Sequence, residues 1–347
     1  MNSAKPTSRQ FSISCGHSKS QPAVPGKQGP GTAGVFNSEE GLNPTSMRYH
    51  IIIFLVILVL ACASMHAQSP FFMRSMEVSI AAPVILDIAV SSGDITIGYS
   101  HDGVVSIYAS AKDPNGKSVP EAFFSNALFI EQSANHISIR DFLATAASLN
   151  VNLSYRIDVP FQTQVNSSVF GIGNQKLIGI AGPAKLTSGM GDIDATYVRF
   201  AEVEAITGRG NISCTRAAQV KAETGAGNIT LMEDGPSQAA VKKGPGRIEV
   251  GGARGSFEGA TDVGDLHIKA VPNGNWRLTS IAGNIRVEVP PKAKFRLDAS
   301  TLLGNIFVEH NAIQKPSEDG VHRLQQEVNG GGMSIQARSN NGNIFIQ

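Results

Sequence analysis

The chain is poor in cysteine, in aromatic side chains and in charge. Three cysteines, Cys15, Cys62 and Cys214, stand among 347 residues. They are too few and too scattered for a disulfide framework or a zinc site. Aromatics make up 6% of the chain and charged residues 16%, while 41% is hydrophobic, which excludes a disordered polyelectrolyte. The net charge is +1, and residues 1–67 hold five Lys/Arg against two Glu, so the remainder is slightly acidic. A weakly acidic body without a basic block excludes nucleic acid as the main partner. The Walker, nucleophile-elbow and HExxH patterns are missing as well, so the sequence offers no catalytic constellation and no cofactor motif.

One apolar run is present. Residues 51–60 are unbroken, extended by Ala61, Cys62 and Ala63, with Arg48 before them and small residues after. This is the layout of a secretory signal peptide over residues 47–67. As a helix the run reaches about 20 Å, short of the ~30 Å hydrocarbon core. Cleavage is expected before Ser64 or Gln68. Alternatively, Val59-Leu60-Ala61-Cys62 is a partial lipobox with Cys62 as the lipid attachment site. Residues 1–46 are rich in Ser, Pro, Gly and Gln without apolar periodicity. They read as a disordered tail or as sequence ahead of a true start at Met47.

The rest of the chain is dominated by a repeat. Gly-(Asp/Asn)-(Ile/Leu) occurs at Gly191, Gly210, Gly227, Gly264, Gly283, Gly304 and Gly342, with Gly246-Arg247-Ile248 as a variant. Successive spacings from Gly191 to Gly304 are 19, 17, 19, 18, 19 and 21 residues. Around each glycine the pattern has period two, the mark of a strand with one buried face. Seven residues before it stand Ala184, Val203, Val220, Ala239, Phe257, Trp276, Leu297 and Ile335. Three before it stand Ser188, Thr207, Thr224, Lys243, Thr261, Ser280, Thr301 and Ser339. After it come pairs such as Ile193/Ala195, Ile212/Cys214 and Ile285/Val287.

Each unit therefore predicts strand, Gly-Asx corner, strand, variable turn. Glycine supplies a positive φ at the corner, and the Asx side chain is expected to bond its own backbone. One unit cannot bury its apolar face, but a stack can. The expected fold is all-β: a parallel β-solenoid of ~18–19-residue coils over residues 166–347. Residues 75–165 form an N-terminal β region or cap in which the period fails, although Leu86 to Ile97 already follow the register. Residues 309–332 form an insertion, expected to protrude as a loop before Met333-Ser334-Ile335 rejoins the stack.

At these residues, most closely from Gly330-Gly331-Gly332-Met333 to Asn341-Gly342-Asn343-Ile344, the chain resembles the bacterial putative-adhesin family, a domain of unknown function. The resemblance spans about residues 75–347 and implies an exported or membrane-anchored β-solenoid. It carries no catalytic residues.

Individual candidates read as structural. Only Asp192 and Asp265 of the Asx column are charged, too few carboxylates for a calcium ladder, so side-chain hydrogen-bond ladders are expected. Cys214 lies in an inward column and behaves as a small hydrophobe. His267 faces outward, alone. His310 and His322 share the insertion, where a metal pair is conceivable. Trp276 sits in a core column and needs a partner for its indole N–H. Asp192 and Asp194 lack the neighbouring acids a glycan-processing β-helix would need. Arg286, Glu288, Lys221, Glu223, Glu249 and Lys269 give outward faces of mixed charge. These features point to a non-enzymatic cell-envelope module binding an envelope protein or a glycan, with membrane contact only through the leader.

Overall fold

A computed structural model describes residues 72–79, 82–100, 103–141, 151–199, 201–308, 311–313 and 320–347, all within the compact unit Ala67–Gln347. The apolar run at residues 47–67 with its Cys62, residues 1–46 and His310 lie outside the described residues. Among the described residues no helix is long and apolar enough to cross a membrane.

The fold is an all-β stack of coils built from two sheets, one of 14 strands and one of 13. A typical coil runs through a long strand, Glu202–Arg209, turns at Gly210-Asn211, continues through a short strand, Ile212–Thr215, and turns again into the next long strand, Gln219–Thr224. Long strands pair in parallel with long strands, and short with short. Alternation then buries one face of each sheet. Val203, Ala205, Ile212 and Cys214 are at most 2% exposed, while Glu204 and Ser213 turn outward. Each large inward side chain contributes about 1.5–3 kcal/mol of burial.

One coil departs from the sequence register. Val220 pairs with Ser237 rather than Ala239, and Thr224 pairs with Val241 rather than Lys243. An irregularity between Val241 and Pro245 absorbs the two extra residues, with Lys243 at φ +82°. Lys243 is therefore outside the Ser/Thr column, and Val241 fills that place.

The order of coils also departs from the order of the chain. The last coil, Met333–Asn341 with Ile344–Ile346, does not follow the coil of Phe295–Leu303. It inserts between that coil and the coil of Trp276–Ala282. The first coil does the same at the other end. Ile85–Val90 lies between His136–Asp141 and Gln164–Ile172, and Asp94–Tyr99 lies between Asn152–Val159 and Gln175–Ile178.

Antiparallel strands close both ends. Phe72–Glu77 and Val104–Lys112 continue one sheet at the first end, and Leu128–Ser133 continues the other. At the far end the insertion does not simply protrude. Asn311–Ile313 pairs with Ile306–Val308, and His322–Val328 pairs with Phe295–Leu303. These strands cover edges that would otherwise offer free backbone groups. A short helix, Ala122–Ala127, packs Phe124 into the core at the first end.

Candidate functional site

The repeat's polar residues serve the stack itself. Along the Gly-Asx corner, each Asx side-chain oxygen accepts the backbone N–H of the Asx in the next coil. Asn211 N donates to Asp192 Oδ1 at 2.7 Å, Asn228 N to Asn211 Oδ1 at 2.9 Å, and Asn284 N to Asp265 Oδ1 at 2.7 Å. The bonds join coils instead of closing an Asx-turn within one residue's own backbone. A second ladder lies just inside. Thr207 Oγ1 donates to the Gly191 carbonyl at 2.9 Å, Thr224 to Gly210 at 2.9 Å, Ser280 to Gly264 at 3.1 Å and Thr301 to Gly342 at 2.8 Å. These hydroxyls satisfy corner carbonyls that the strand ladders leave over.

Glycine at the corner is required by contact as much as by dihedral angle. Gly210 has φ +152°, but a Cβ on Gly246, Gly304 or Gly342 would equally overlap the carbonyl oxygen of the corner glycine in the neighbouring coil.

The other residues singled out by sequence are distributed, not gathered. Cys214 is fully buried, and burial pushes its thiol well up, with Asp234 and Asp194 adding to the rise. Trp276 is buried and donates its indole N–H to the Gly255 carbonyl at 3.1 Å. His267 does face outward but is not alone. Its Nε2 lies 2.9 Å from Glu288 Oε1, and Arg247 Nη2 lies 3.2 Å from its Nδ1. Asp194 accepts from Thr196 Oγ1 at 2.7 Å, beside Ser213 and Thr230 in neighbouring strands. Among the described residues no group of His, Cys, Asp and Glu is arranged to hold a metal.

The most distinctive surface is the second corner, where short strands turn into long ones. Gly179, Tyr197, Arg216, Glu233 and Gly252 occupy equivalent places there, with φ of +71°, +58°, +63°, +59° and +64°. Glycine accepts this left-handed region freely. A bulky tyrosine is strained in it, by about 1–3 kcal/mol. Tyr197 is nevertheless half exposed. The Arg216 guanidinium sits 5.2 Å from its ring centroid, and Arg216 Nε is fixed by Glu233 Oε2 at 2.7 Å. Two further arginines, Arg199 and Arg254, line a shallow groove of about 670 Å³ with Arg216 and Glu233. Arg254 donates to the Glu233 carbonyl.

Beneath this corner lies Asp234, 2% exposed. Its Oδ1 accepts the Ala217 N–H at 2.6 Å, while its Oδ2 has no hydrogen-bond partner. Burial raises its carboxyl to about 6, against backbone N–H donors and Arg254, which pull it down. No motif in the sequence marks this corner. Its signal is a column six residues after the corner glycines, Tyr197, Arg216, Glu233 and Gly252, which is legible only when mixed residue types are compared by position.

A different groove, of about 350 Å³, runs over the starts of the long strands between Gln238, Glu258, Arg277 and Gln336. Further along the outward face of the long strands the charges are paired. Lys185 and Lys221 flank Glu204 at 3.0 and 2.6 Å, and those hydrogen bonds hold the Glu204 carboxyl below its usual range. Such pairs describe a solvated, self-compensated face.

Solved structures that match the chain include a "putative adhesin" from Bacteroides fragilis, 14% identical, with a TM-score of 0.43, covering 80% of this chain and 97% of its own. A "putative lipid binding protein" from Parabacteroides distasonis is 10% identical with a TM-score of 0.39, covering 81% and 98%. A "putative cell adhesion protein" from Clostridium sporogenes is 10% identical with a TM-score of 0.23, covering 80% and 97%. No curated protein matches the chain. A family model does match, from Val84 at the entry of the first coil to Gln347 at the end of the intercalated last one: the chain belongs to the Toastrack DUF4097 family.

Proposed function

We propose that the protein is a non-catalytic interaction module of the cell envelope, exported by the segment at residues 47–67 and acting in adhesion. The observation that carries this reading is the second corner. A rigid stack, its polar groups committed to ladders, presents a strained and exposed Tyr197 beside a groove of arginines. Exposed aromatics and arginines are the side chains that dominate recognition surfaces. The test is fractionation of the native host, followed by retention of the purified protein on isolated envelopes. Envelope location, a processed N-terminus and saturable retention are expected. An unprocessed protein in the cytosol that envelopes do not retain contradicts the reading.

A second reading, a structural or regulatory envelope protein that binds a partner protein, draws on exposed apolar residues at the other corner. Phe170, Ile172 and Leu303 are 72%, 66% and 65% exposed there. Cross-linking in intact cells that captures one envelope protein, lost in Phe170→Ser, favours it.

A further inference from the structure

We infer that the second corner binds a carboxylate-bearing saccharide, with a sugar ring seated over Gly179 and the carboxylates held by the neighbouring arginines. The inference deepens the reading of the chain as an envelope-binding module and rests on it.

The geometry begins with a notch. Tyr99 ends one strand, and Gly179 and Tyr197 directly follow the two strands that continue the sheet beside it, so that an added Cβ on Gly179 would come 3.8 Å from Tyr99 Cβ. Two strand spacings, about 9.6 Å, therefore separate the two tyrosines, and the residue between them has no side chain. Tyr99 and Tyr197 are 41% and 50% exposed, and Phe161 packs edge-on against Tyr99 at 5.6 Å. An exposed aromatic side chain beside a gap suits a saturated ring whose C–H groups lie against the Tyr197 π cloud. One side of Tyr197 already carries Arg216, so that ring is held in place before any ligand arrives.

Charge gives the ligand its sign. Arg199, Arg216 and Arg254 meet only Glu233 in the groove beside the notch, with Asp234 buried below. Glu233 is engaged by Arg216, and Arg199 is exposed without an ion pair among the described residues. A guanidinium fork matches a carboxylate bidentately. The strain at Tyr197 fits the same account. Glycine would fill its backbone position more easily, as Gly179 and Gly252 do, yet a tyrosine stands there with its ring half in solvent.

The test is calorimetric titration of the folded protein with hexagalacturonate and, as neutral counterpart, maltohexaose. Hexagalacturonate should bind, weaken as salt rises, and bind more tightly than maltohexaose. Arg199→Glu should weaken it roughly ten-fold or more, the loss of one charge-assisted contact. Tyr197→Gly should weaken it similarly while leaving the melting temperature unchanged or higher, because backbone strain is relieved. Absence of hexagalacturonate binding, equal affinity for maltohexaose, or wild-type affinity in both variants would overturn the inference. The same variants on isolated envelopes separate the two levels of the argument. Retention that survives Arg199→Glu and Tyr197→Gly sinks this site and leaves the module reading standing. Loss of all wild-type retention sinks the module reading itself.

Discussion

A threonine hydroxyl and a glycine carbonyl are the smallest unit from which this stack is made. The pairing recurs from Ser188 on Gly173 at 2.9 Å to Thr301 on Gly342 at 2.8 Å. Val241 breaks it, because it occupies the Ser/Thr place beside Gly227 without a hydroxyl. Val241→Thr should therefore stabilise the fold by about 0.5–1.5 kcal/mol, while the reverse change, Thr224→Val, should cost about 1–3 kcal/mol by stranding the Gly210 carbonyl. Chemical denaturation of both variants checks the pair. The Ser/Thr column is legible in the sequence because seven of eight places agree. The misplacement of Lys243 is not, since spacing from Gly246 cannot reveal a bulge inside the strand.

Asp234 adds a pH dependence at the same scale. Its native carboxyl lies near 6 against an ordinary 3.8. The native state thus holds this proton more tightly than the unfolded chain does. Its contribution is fully present below about pH 4 and is lost as pH rises through about 6. Wild type should lose stability from pH 5 to 7 relative to Asp234→Asn, and the difference between their denaturation midpoints against pH isolates this group. A constant difference across that range contradicts the assignment.

At the scale of strands and corners, register is held by ladders that run through every coil they can reach. The Asx ladder passes from Asp94 through Asn174, Asp192, Asn211 and Asn228 to the Arg247 N–H at 2.9 Å. It stops there, because Arg247 has no side-chain acceptor for Asp265. Arg247→Asn should extend it and stabilise the protein by about 0.5–1 kcal/mol, read as a raised melting temperature. An unchanged or lowered value would show that the ladder contributes little. Strand existence and inward faces were legible because alternation at period two has one physical cause, burial of a single face. The second corner was harder to read. Its residues share a backbone conformation rather than a chemistry, and a tyrosine, an arginine, a glutamate and a glycine do not look like one column.

At the scale of the whole described unit, the notable feature is that both terminal coils lie one place in from the ends. The first coil is enclosed by coils that follow it in sequence, and the last is enclosed by two that precede it. Repeat counting cannot reveal this, since any order of stacking presents the same columns to the core. Intercalation also makes the ends of the stack dependent on distant segments. Long-range contacts of this kind slow folding, yet they tie both ends of the coil array into its sheets.

The intercalation of the last coil is tested most directly by disulfide trapping with cysteines placed at outward positions of the long-strand sheet. Arg277 pairs with Gln336, and Gln336 with Asp298, whereas Arg277 and Asp298 lie two strands apart. Adjacent strands bring Cα atoms within the ~7 Å that a disulfide allows, and a two-strand gap of about 9.6 Å does not. Arg277→Cys with Gln336→Cys, and Gln336→Cys with Asp298→Cys, should each oxidise readily in the folded protein, while Arg277→Cys with Asp298→Cys should stay reduced. Efficient trapping of that third pair, with failure of the first, would mean that the coils stack in chain order and would contradict the architecture described here.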